Sequence, residues 1–329
     1  MKIMITGATG YIGHKLALEA ARRGYTVHAL VRDPQSKLFP HHPSIIPFKG
    51  DVRDKASVDA AMQGCEKLIH AAGITRFNDK DPSIFYAVNV EGTRNVLEAA
   101  LRNGIKKMVF TSTGAVLGPS GKYPMSEKDP RIIAFENDYE ISKHWAEQLV
   151  KEYCRKGLFA VIVAAPRVYG PGPDSAAAPI NNLIKKILSM KTGFVPSCVE
   201  VVANYAYVDD VVNGHFLALD KGVGGEKYIL GGENISYQTF FKTIQTHAGK
   251  KIRLLQIPVG LIKAWSVVHL MIYKLTGRST QVSPRVVDRI RKNRALSCEK
   301  ALKQLGYCIT PFNEGIHKTI LHLQNKPYA

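Results

Sequence analysis

Short apolar runs alternate with helical patterns through the first half of the chain. The runs are rich in β-branched residues, as strands buried in a sheet are, and they cover residues 3–6, 25–31, 67–71, 108–112 and 160–164. Between the runs, apolar positions recur at helical spacing and predict helices over residues 11–23, 56–62, 90–103 and 139–155. Strands that are regularly separated by helices form a parallel sheet with right-handed crossovers. We therefore expect an α/β fold with a doubly wound parallel sheet.

The alternation breaks after Pro166, where prolines and a glycine punctuate a loop at residues 171–173. Apolar periodicity then predicts helices across the last ~90 residues and at residues 180–190 and 208–220. The pattern indicates a sheet domain of residues 1–170 and a smaller lobe of residues 171–329, with single elements of the lobe returning to the sheet.

The net charge of +18 is the one unusual bulk property of this chain of 329 residues. Its apolar content of 45% and charged content of 22% are ordinary for a globular protein. Such a charge fits an acidic ligand, an anionic surface or a basic host proteome. The sequence has no Lys/Arg-rich block interleaved with aromatic residues and no zinc-finger spacing, so we expect no nucleic-acid partner.

Five scattered cysteines without metal-site spacing indicate free thiols in a reducing compartment. The chain opens directly as a strand with no room for a signal peptide, so we expect a cytoplasmic protein without a bound metal. The most apolar stretch, residues 258–275, is interrupted by Lys263, His269 and Lys274 and falls short of the ~20 apolar residues of a membrane span. It is interpreted as a helix of the lobe, and a helix that rests on a membrane or lines a lipid substrate is the alternative.

A glycine-rich turn follows the first predicted strand at once and opens the first predicted helix. Its glycines have the spacing Gly-x-x-Gly-x-x-Gly. Glycine is needed where φ is positive and where backbone approaches a pyrophosphate, and the amides of a helix N-terminus hold phosphates. The turn therefore predicts a dinucleotide site that includes Gly7, Thr9, Gly10, Tyr11, Ile12 and Gly13.

The end of the second predicted strand should select the cofactor. An acidic residue there would bind the ribose 2′-hydroxyl of NAD, but Val31 and Arg32 occupy the position. A cation suits the 2′-phosphate of NADP, and Lys37 is close enough in sequence to help. We therefore predict NADP, with NAD as the alternative. Asp33 complicates the assignment, because it could pair with Arg32 or bind the ribose itself.

Two further strand ends should complete the cofactor site. Asp51 and Val52 follow a third strand that is expected between the apolar runs at 25–31 and 67–71, and a carboxylate there can take the adenine amino group. Asp54 is the better candidate to cap the next helix. Asn89 is expected to pack under the site and hold its backbone. The residues at the end of the fourth strand are small enough for backbone to lie against the cofactor, and they are Ala71, Ala72 and Gly73.

Tyr139 and Lys143 stand four residues apart in a predicted helix and therefore share one face. A free tyrosine has a pKa near ~10, and a neighbouring cation lowers that pKa by favouring the phenolate. A general acid or base is most effective when its pKa lies near working pH. The pair therefore predicts a proton-transfer device, although taken alone it also fits a solvated helix face.

Together these motifs resemble the extended short-chain dehydrogenase/reductase family, which includes the NAD-dependent epimerases and dehydratases. The resemblance spans nearly the whole chain and rests on the glycine turn, Asp51-Val52, Ala71-Ala72-Gly73, residues 89–93, the Thr-Ser-Thr run at 111–113, Tyr139-x-x-x-Lys143, residues 166–172 and residues 208–211. Within the family the chain is most similar to the dihydroflavonol-reductase-like group, through residues 31–34, 228–234 and 305–307. The resemblance implies a Rossmann-type fold.

The resemblance also implies an NADP(H)-dependent oxidoreductase that moves a hydride to or from a carbonyl or secondary alcohol. Tyr139 would exchange a proton with the substrate oxygen, Lys143 would lower the pKa of Tyr139 and hold the nicotinamide ribose, and Thr113 would hydrogen-bond the substrate oxygen. Thr113 stands where the family usually has serine, and Ser112 takes the role if the strand register shifts by one residue. The residues implied to flank the nicotinamide are Pro166 and Val168.

Loops at residues 74–86, 114–138 and 172–205 should bind the substrate. Their aromatic residues favour a small apolar or aromatic molecule, and they are Phe77, Phe85, Tyr123, Phe135, Phe194 and Tyr205. Two basic clusters are interpreted as solvated helix faces, with an acidic substrate such as a coenzyme A ester or nucleotide sugar as the alternative. These clusters are Lys185, Lys186 and Lys191, and Arg285, Arg289, Arg291, Lys292 and Arg294.

Rival functions remain within and outside the family. A nucleotide-sugar epimerase or dehydratase with tightly bound NAD is disfavoured, because Gly114 follows Thr113 where dehydratases soon have an acidic residue, and because Leu117 and Val168 replace residues common in epimerases. A sterol or lipid dehydrogenase that associates with a membrane is a further rival, and so is a non-catalytic NADP sensor. Dimers are usual for the family, so a homodimer is expected.

Overall fold

The computed structural model describes residues 1–75, 81–276 and 284–325, and it describes only the backbone for residues 270–276 and 285. The strands are β1 Lys2–Thr6, β2 Thr26–Val31, β3 Ile45–Lys49, β4 Lys67–His70, β5 Lys107–Thr113, β6 Ala160–Ala165, β7 Arg167–Tyr169, β8 Thr192–Pro196, β9 Val202–Tyr207, β10 Lys227–Ile229, β11 Glu233–Ser236 and β12 Arg253–Ile257. The α-helices are α1 Tyr11–Arg22, α2 Lys55–Met62, α3 Ser83–Tyr86, α4 Gly92–Arg102, α5 Asp138–Arg155, α6 Pro179–Ser189, α7 Val208–Lys221, α8 Tyr237–His247, α9 Val259–Thr276, α10 Pro284–Ile290, α11 Glu299–Leu305 and α12 Phe312–Asn325. A π-helical turn, Ala87–Glu91, joins α3 to α4.

The main sheet has seven parallel strands in the order β3-β2-β1-β4-β5-β6-β10. The chain moves outward from β1 through β2 to β3, returns to β4 on the other side of β1, and then moves outward again. This reversal is the doubly wound, Rossmann-type arrangement, and it confirms the predicted fold class. Because ligands bind where the order reverses, at the carboxyl ends of the strands, the site should lie beyond β1 and β4.

Both faces of this sheet are buried, so its strands read as apolar runs. Ile3 and Ile5 of β1 join the core on the side of α1 and α7. Met4, between them, joins the core on the side of α2, α4 and α5. Successive side chains of a strand point to opposite faces, so a single strand contributes to both cores.

The helix ends follow local chemistry. Gly24 and Gly104 adopt φ values of 82° and 64° just after α1 and α4, the left-handed conformation in which glycine commonly ends a helix. The Asp54 carboxylate accepts hydrogen bonds from the backbone N–H groups of Ala56 and Ser57 at 3.1 and 3.3 Å, so Asp54 is the cap of α2, as predicted.

The second half of the chain adds two small sheets, β11-β9-β7 and β12-β8. Within it, the Tyr205 ring stacks on Phe240 at 4.8 Å and lies near Phe312. The prediction of helices across the last ~90 residues was incomplete, since β12 also lies there. β12 is half exposed and pairs with β8 across a long stretch of chain, so neither local periodicity nor spacing reveals it.

The apolar stretch forms α9, which is a helix as predicted. Its Leu261 and Trp265 side chains are 62% and 53% exposed. Among the described helices, none combines the length and the apolar character that crossing a bilayer requires.

Candidate active site

The glycine turn leaves no room for side chains. Gly7 has φ of 79°, and a Cβ on Gly7 would lie 2.7 Å from the Ala72 nitrogen. A Cβ on Gly13 would lie 2.0 Å from the Gly7 carbonyl oxygen. The Gly10 N–H donates to that same oxygen at 2.8 Å and closes the turn. Gly10 caps α1 without a side chain, and the first turn of α1 has no acidic residue, so its backbone amides face an open anion site.

The side chain of Tyr11 belongs to the core instead of the cofactor site. It is 2% exposed, its hydroxyl donates to the Gly170 carbonyl at 2.7 Å, and it accepts from the Asn181 amide at 3.2 Å. Burial raises the pKa of Tyr11 far above its ordinary value. Only the backbone of Tyr11 can therefore serve the predicted site. Ile12 is half-buried and packs against the core, while Thr9 stays half-exposed in the turn.

The predicted 2′-phosphate cations lie at the edge of the sheet. Arg32 and Lys37 are exposed, and neither forms an ion pair or side-chain hydrogen bond with any described residue. The Asp33 carboxylate accepts from the Gln35 N–H at 2.9 Å, so the suggested pairing of Asp33 with Arg32 is wrong. Arg32 and Lys37 are thus available to an anion.

Asp51 lies just after β3, and its contact with the adenine amino group stays a prediction. Arg53 donates to both Asp51 carboxylate oxygens, at 3.0 and 2.9 Å, so this carboxylate is already paired. Arg53, with a smaller contribution from the charge of Arg32, lowers the pKa of Asp51. The Val52 side chain is 6% exposed and packs against Gly92 in the core, so Val52 offers only its backbone.

A buried hydrogen-bond chain that the sequence analysis missed supports the turn. The Thr93 hydroxyl donates to the Asn89 carbonyl at 2.7 Å and accepts from His70 Nε2 at 3.0 Å. His70 Nδ1 then accepts from the Thr6 hydroxyl at 2.6 Å, and the Thr6 oxygen accepts from the Ala72 N–H at 3.1 Å. Burial, with the nearby Lys143 charge, lowers the pKa of His70 to about 3, so His70 is neutral. A histidine inside an apolar strand was the sequence signal for this chain.

Asn89 lies under the site, as predicted. Its carboxamide accepts from the Ile74 N–H at 2.8 Å and donates to the Ile74 carbonyl at 3.2 Å and to the Ser142 hydroxyl at 3.0 Å. Ser142 in turn donates to the Tyr139 carbonyl at 2.9 Å. Asn89 thereby fixes the backbone that follows Ala71, Ala72 and Gly73 relative to α5.

The predicted hydroxyl partner of Tyr139 is in place. Thr113 ends β5, and its side chain hydrogen-bonds the Tyr139 hydroxyl. The Ala115 N–H donates to the Thr113 oxygen at 3.2 Å, which leaves the hydroxyl proton of Thr113 free to donate. Ser112 points the other way and donates to Glu147 at 2.5 Å, so the register selects Thr113.

Lys143 follows Tyr139 by one turn of α5. Its ammonium donates to the Thr111 carbonyl at 2.7 Å and sits 4.2 Å from the centre of the Phe110 ring. Lys143 is 5% exposed, and burial lowers its pKa to about 8. One of the three ammonium donors is used in this bond, so two remain for a ligand.

The prediction that the pKa of Tyr139 is lowered was wrong. Burial raises the pKa of Tyr139, and the hydrogen bond from Thr113 and the charge of Arg289 offset that rise in part. Lys143 does not contribute to the shift, because its ammonium is turned towards Thr111. Sequence spacing placed the two residues on one face but could not show how deeply that face is buried.

Pro166 and Val168 lie beyond the carboxyl end of β6. Pro166 is next to Gly114, whose added Cβ would lie 3.6 Å from the Pro166 Cα. Val168 is 9% exposed and belongs to the core. Their predicted contact with the nicotinamide stays a prediction.

The aromatic residues expected around the substrate are dispersed. Phe85 is buried with its ring 6.3 Å from that of Tyr139, and Phe135 lies against His144. Tyr123 and Phe194 are 72% and 68% exposed, and Tyr205 packs inside the lobe. Phe77 lies outside the described residues. Among the described side chains of this set, Phe85 has a ring contact with Tyr139.

Comparison with known proteins agrees with this fold. A model of the NAD dependent epimerase/dehydratase family matches residues 3–231. A Synechocystis sp. protein with the provisional name dihydroflavonol 4-reductase is 30% identical over 334 residues, which cover 99% of this chain and 95% of that protein. Sterol demethylase protein B of Methylococcus capsulatus is 30% identical over 267 residues, which cover 80% of this chain and 79% of that protein.

Solved structures share the whole fold. The structure of gox2253 superimposes with a TM-score of 0.83 at 31% identity and covers 98% of this chain and 97% of its own. The UDP-glucose 4-epimerase of Thermus thermophilus, solved with NAD, gives a TM-score of 0.80 at 26% identity over 99% of both chains. RMD from Pseudomonas aeruginosa, solved with NADPH, gives 0.74 at 18% identity over 99% of both chains and shows the fold alone.

Proposed function

Since the chain belongs to the NAD dependent epimerase/dehydratase family, we propose that it is an NADP(H)-dependent reductase or dehydrogenase of a small carbonyl or secondary-alcohol substrate. The chain is an NAD(P)-dependent oxidoreductase acting on CH–OH or C=O groups. The observation that carries the proposal is the hydrogen-bonded pair of Thr113, at the end of β5, and Tyr139, in α5, with Lys143 one helical turn further along α5. An apolar substrate is supported by relatives whose names refer to sterols and dihydroflavonol.

The residues present fit a nicotinamide dinucleotide. The glycine turn and the first amides of α1 would hold its pyrophosphate, and Lys143 has two ammonium donors left for the ribose. When bound, the nicotinamide supplies or accepts the hydride.

Tyr139 would supply the proton for carbonyl reduction. Burial keeps its hydroxyl protonated at neutral pH, so the group is ready to donate to a substrate oxygen. Thr113 would donate a second hydrogen bond to that oxygen and stabilise the charge that develops there. In the oxidation direction the same tyrosine would take the proton from the alcohol.

Replacing Tyr139 with Phe tests the catalytic assignment. General acid catalysis contributes about 10²- to 10⁴-fold, so we expect kcat of Tyr139→Phe to fall by about that factor. Tyr139 is also a predicted cofactor contact, but the glycine turn, the first amides of α1 and Lys143 remain in the variant, so NADPH affinity, measured by fluorescence titration, should stay within about twofold. Tyr25→Phe, at a half-exposed tyrosine before the amino end of β2, is the control and should keep full turnover. Near-normal turnover of Tyr139→Phe would reject the assignment.

The preference for NADP is tested separately. Arg32 and Lys37 support it, because they are exposed cations without partners among the residues described. Hydrogen bonds to charged groups contribute about 1.5–3 kcal/mol, so Arg32→Ser should lower the NADPH-to-NADH ratio of kcat/KM about tenfold or more. Arg22→Ser, at an exposed arginine paired with Glu19, should leave the ratio unchanged. A strong preference of the wild type for NADH would refute the NADP assignment.

An epimerase with tightly held NAD is the second candidate. It is supported by the likeness to the Thermus thermophilus UDP-glucose 4-epimerase at 26% identity. Dinucleotide retained through purification, with UDP-glucose converted and no net consumption of NADPH, would favour it. Consumption of NADPH with simple ketones would favour the reductase.

A further inference from the structure

Part of the second basic cluster faces the active site. Arg289, in α10, lies close enough to influence the Tyr139 hydroxyl electrostatically. Arg294 follows α10, and its backbone pairs with β9. Two residues later, the Leu296 side chain fills the space beside Gly114, where an added Cβ would lie 2.6 Å from Leu296 Cδ1. The Arg289 and Arg294 side chains are 24% and 10% exposed, so the interpretation as a solvated helix face was wrong for these two.

Cations outnumber carboxylates in this region. Two glutamates, Glu136 and Glu140, face four cations at ion-pair distance, which are Arg131, Arg289, Lys292 and Arg294. Glu140 is fully buried and Glu136 is largely so. Because buried charges are costly unless they are paired, two carboxylates leave this group with an excess of positive charge.

Arg167 adds a fifth cation nearby. It lies in β7 and donates to the Tyr205 and Tyr237 hydroxyls at 3.0 and 3.1 Å. It forms no ion pair with a carboxylate of the described residues. Its charge and that of Arg289 both act on Arg294, where burial and then these charges lower the pKa of the guanidinium.

Arg294 has donors with no acceptor. Its Nε and Nη1 atoms are buried and have no hydrogen-bond partner among the described residues. Glu140 Oε1, a buried acceptor that also has no hydrogen-bond partner among the described residues, lies 3.8 Å from Arg294 Nη1, which is an ion-pair distance but too long for a hydrogen bond. A buried donor left unsatisfied is destabilising, and more so when it is charged. Arg294 shares Glu140 with Arg289, whose charge acts on the Tyr139 hydroxyl, and its unsatisfied donors fit a residue that completes its hydrogen bonds with a ligand.

We propose that Arg294, with Arg289 and Arg167 beside it, binds an oxyanion carried by the substrate, a carboxylate or a phosphate ester, near the carbon that is reduced or oxidised at Tyr139. The inference rests on the proposed function and narrows its substrate class to a carbonyl compound that carries an acidic group on an otherwise apolar body. Bound there, the oxyanion accepts hydrogen bonds from Arg294 Nε and Nη1 and neutralises the excess positive charge of the cluster. It thereby also orients the substrate carbonyl towards Tyr139 and Thr113.

Binding of matched probes to the NADP-loaded full chain tests the inference without turnover. By calorimetry, 4-acetylbenzoate should bind about tenfold or more tightly than the neutral 4-acetylbenzamide, since each hydrogen bond to a charged group contributes about 1.5–3 kcal/mol. UDP-glucose, titrated in parallel, distinguishes a phosphate ester from a carboxylate. Equal affinity for the two acetyl compounds, together with no binding of UDP-glucose, overturns the inference.

Variants assign the binding to Arg294. Arg294→Gln should abolish the preference for the charged probe, and Arg294→Lys should restore part of it, which separates loss of charge from loss of folding. Lys318→Gln, at an exposed lysine paired with Glu314, removes one charge elsewhere and should change nothing. A preference that survives in Arg294→Gln, or that falls equally in Lys318→Gln, assigns it to the overall charge and overturns the proposal.

Turnover separates this inference from the proposed function. NADPH consumption with the neutral ketone as fast as with the carboxylate leaves the reductase standing and overturns the oxyanion site. Tight binding of 4-acetylbenzoate together with full turnover in Tyr139→Phe leaves the oxyanion site standing and overturns the catalytic assignment of Tyr139.

Discussion

At the scale of single residues, His70 is the position whose chemistry the structure defines most fully. Every hydrogen-bond direction in its chain follows from Thr93, which must donate to the Asn89 carbonyl and can therefore only accept from His70. The ring is thus the neutral tautomer with its proton on Nε2. His70 holds Thr6, directly before the glycine turn, and through it Ala72. It positions the backbone that would face the cofactor.

The folded-state pKa of His70, about 3, predicts a pH dependence of stability. Because this value lies below that of an unfolded histidine, near ~6.5, the unfolded chain binds the extra proton first, and stability falls as pH decreases from 6.5 towards 3. Between pH 6.5 and 5, His70 should account for a loss of about 1.5 kcal/mol. Urea unfolding at the two pH values should show that the free energy of unfolding of His70→Asn falls by correspondingly less than that of the wild type.

The control for this prediction is His42→Asn, at an exposed histidine, which should keep the wild-type pH dependence. His215 is also buried with its pKa lowered to about 4, and burial lowers the pKa values of His28 and His144 as well, so only the difference between the two proteins isolates His70. Identical pH dependence in the wild type and His70→Asn would contradict the assignment.

The residue scale also shows the limits of the sequence. Tyr139, Lys143 and Thr113 were named from spacing and family order, and the structure brings Thr113 and Tyr139 into contact. The direction of the pKa shift of Tyr139 and the burial of Arg294 were not predictable, because segments distant in sequence cover these two side chains. A basic residue near the end of a helix looks the same in sequence whether water or a glutamate faces it.

At the scale of elements, α1 shows how one helix uses glycine for two different purposes. Gly13 lets the glycine turn pack directly against α1, because any Cβ at position 13 would overlap the Gly7 carbonyl. Gly24 only ends the helix, at φ of 82°, with open space around it. The two positions form a natural comparison.

Gly13→Ala and Gly24→Ala should therefore differ. Alanine at 24 costs about 1 kcal/mol through its left-handed backbone and should leave NADPH binding unchanged. Alanine at 13 must displace the turn, and we expect NADPH affinity to fall at least about 100-fold, in line with the loss of two or more charge-assisted hydrogen bonds. Fluorescence titration and thermal unfolding measure both quantities. An unchanged affinity in Gly13→Ala would show that the turn does not bind the pyrophosphate.

Elements were predictable where their pattern is local. The strands β1, β2, β4, β5 and β6 were found within one or two residues, because burial on both faces leaves continuous apolar runs. β8 and β12 pair with each other in parallel and are half exposed, so neither the apolar pattern nor a hairpin turn marks them. Five of the seven strands of the main sheet were therefore predicted as apolar runs, whereas β3, β10 and the small sheets of the second half were not.

At the scale of the whole molecule, the sheet is completed by segments that follow residue 170. β10 pairs in parallel with β6 and forms the last strand of the seven. α7 covers one face of the sheet and contributes Val211, Phe216 and Leu219, each no more than 1% exposed. The predicted division into residues 1–170 and 171–329 consequently describes sequence organisation, while the packing of the core crosses it.

This shared core predicts that residues 1–170 do not fold alone. Burying one large apolar side chain contributes about 1.5–3 kcal/mol, and the loss of the three named from α7 is comparable to the about 5–15 kcal/mol that stabilises a whole domain. Removing β10 also exposes β6 as an unpaired edge, which promotes aggregation. We expect the fragment 1–170 to lack a cooperative urea transition by near-UV circular dichroism. A fragment 1–231, which keeps α7 and β10, should regain one, and a sharp transition in the shorter fragment would show that its core is self-sufficient.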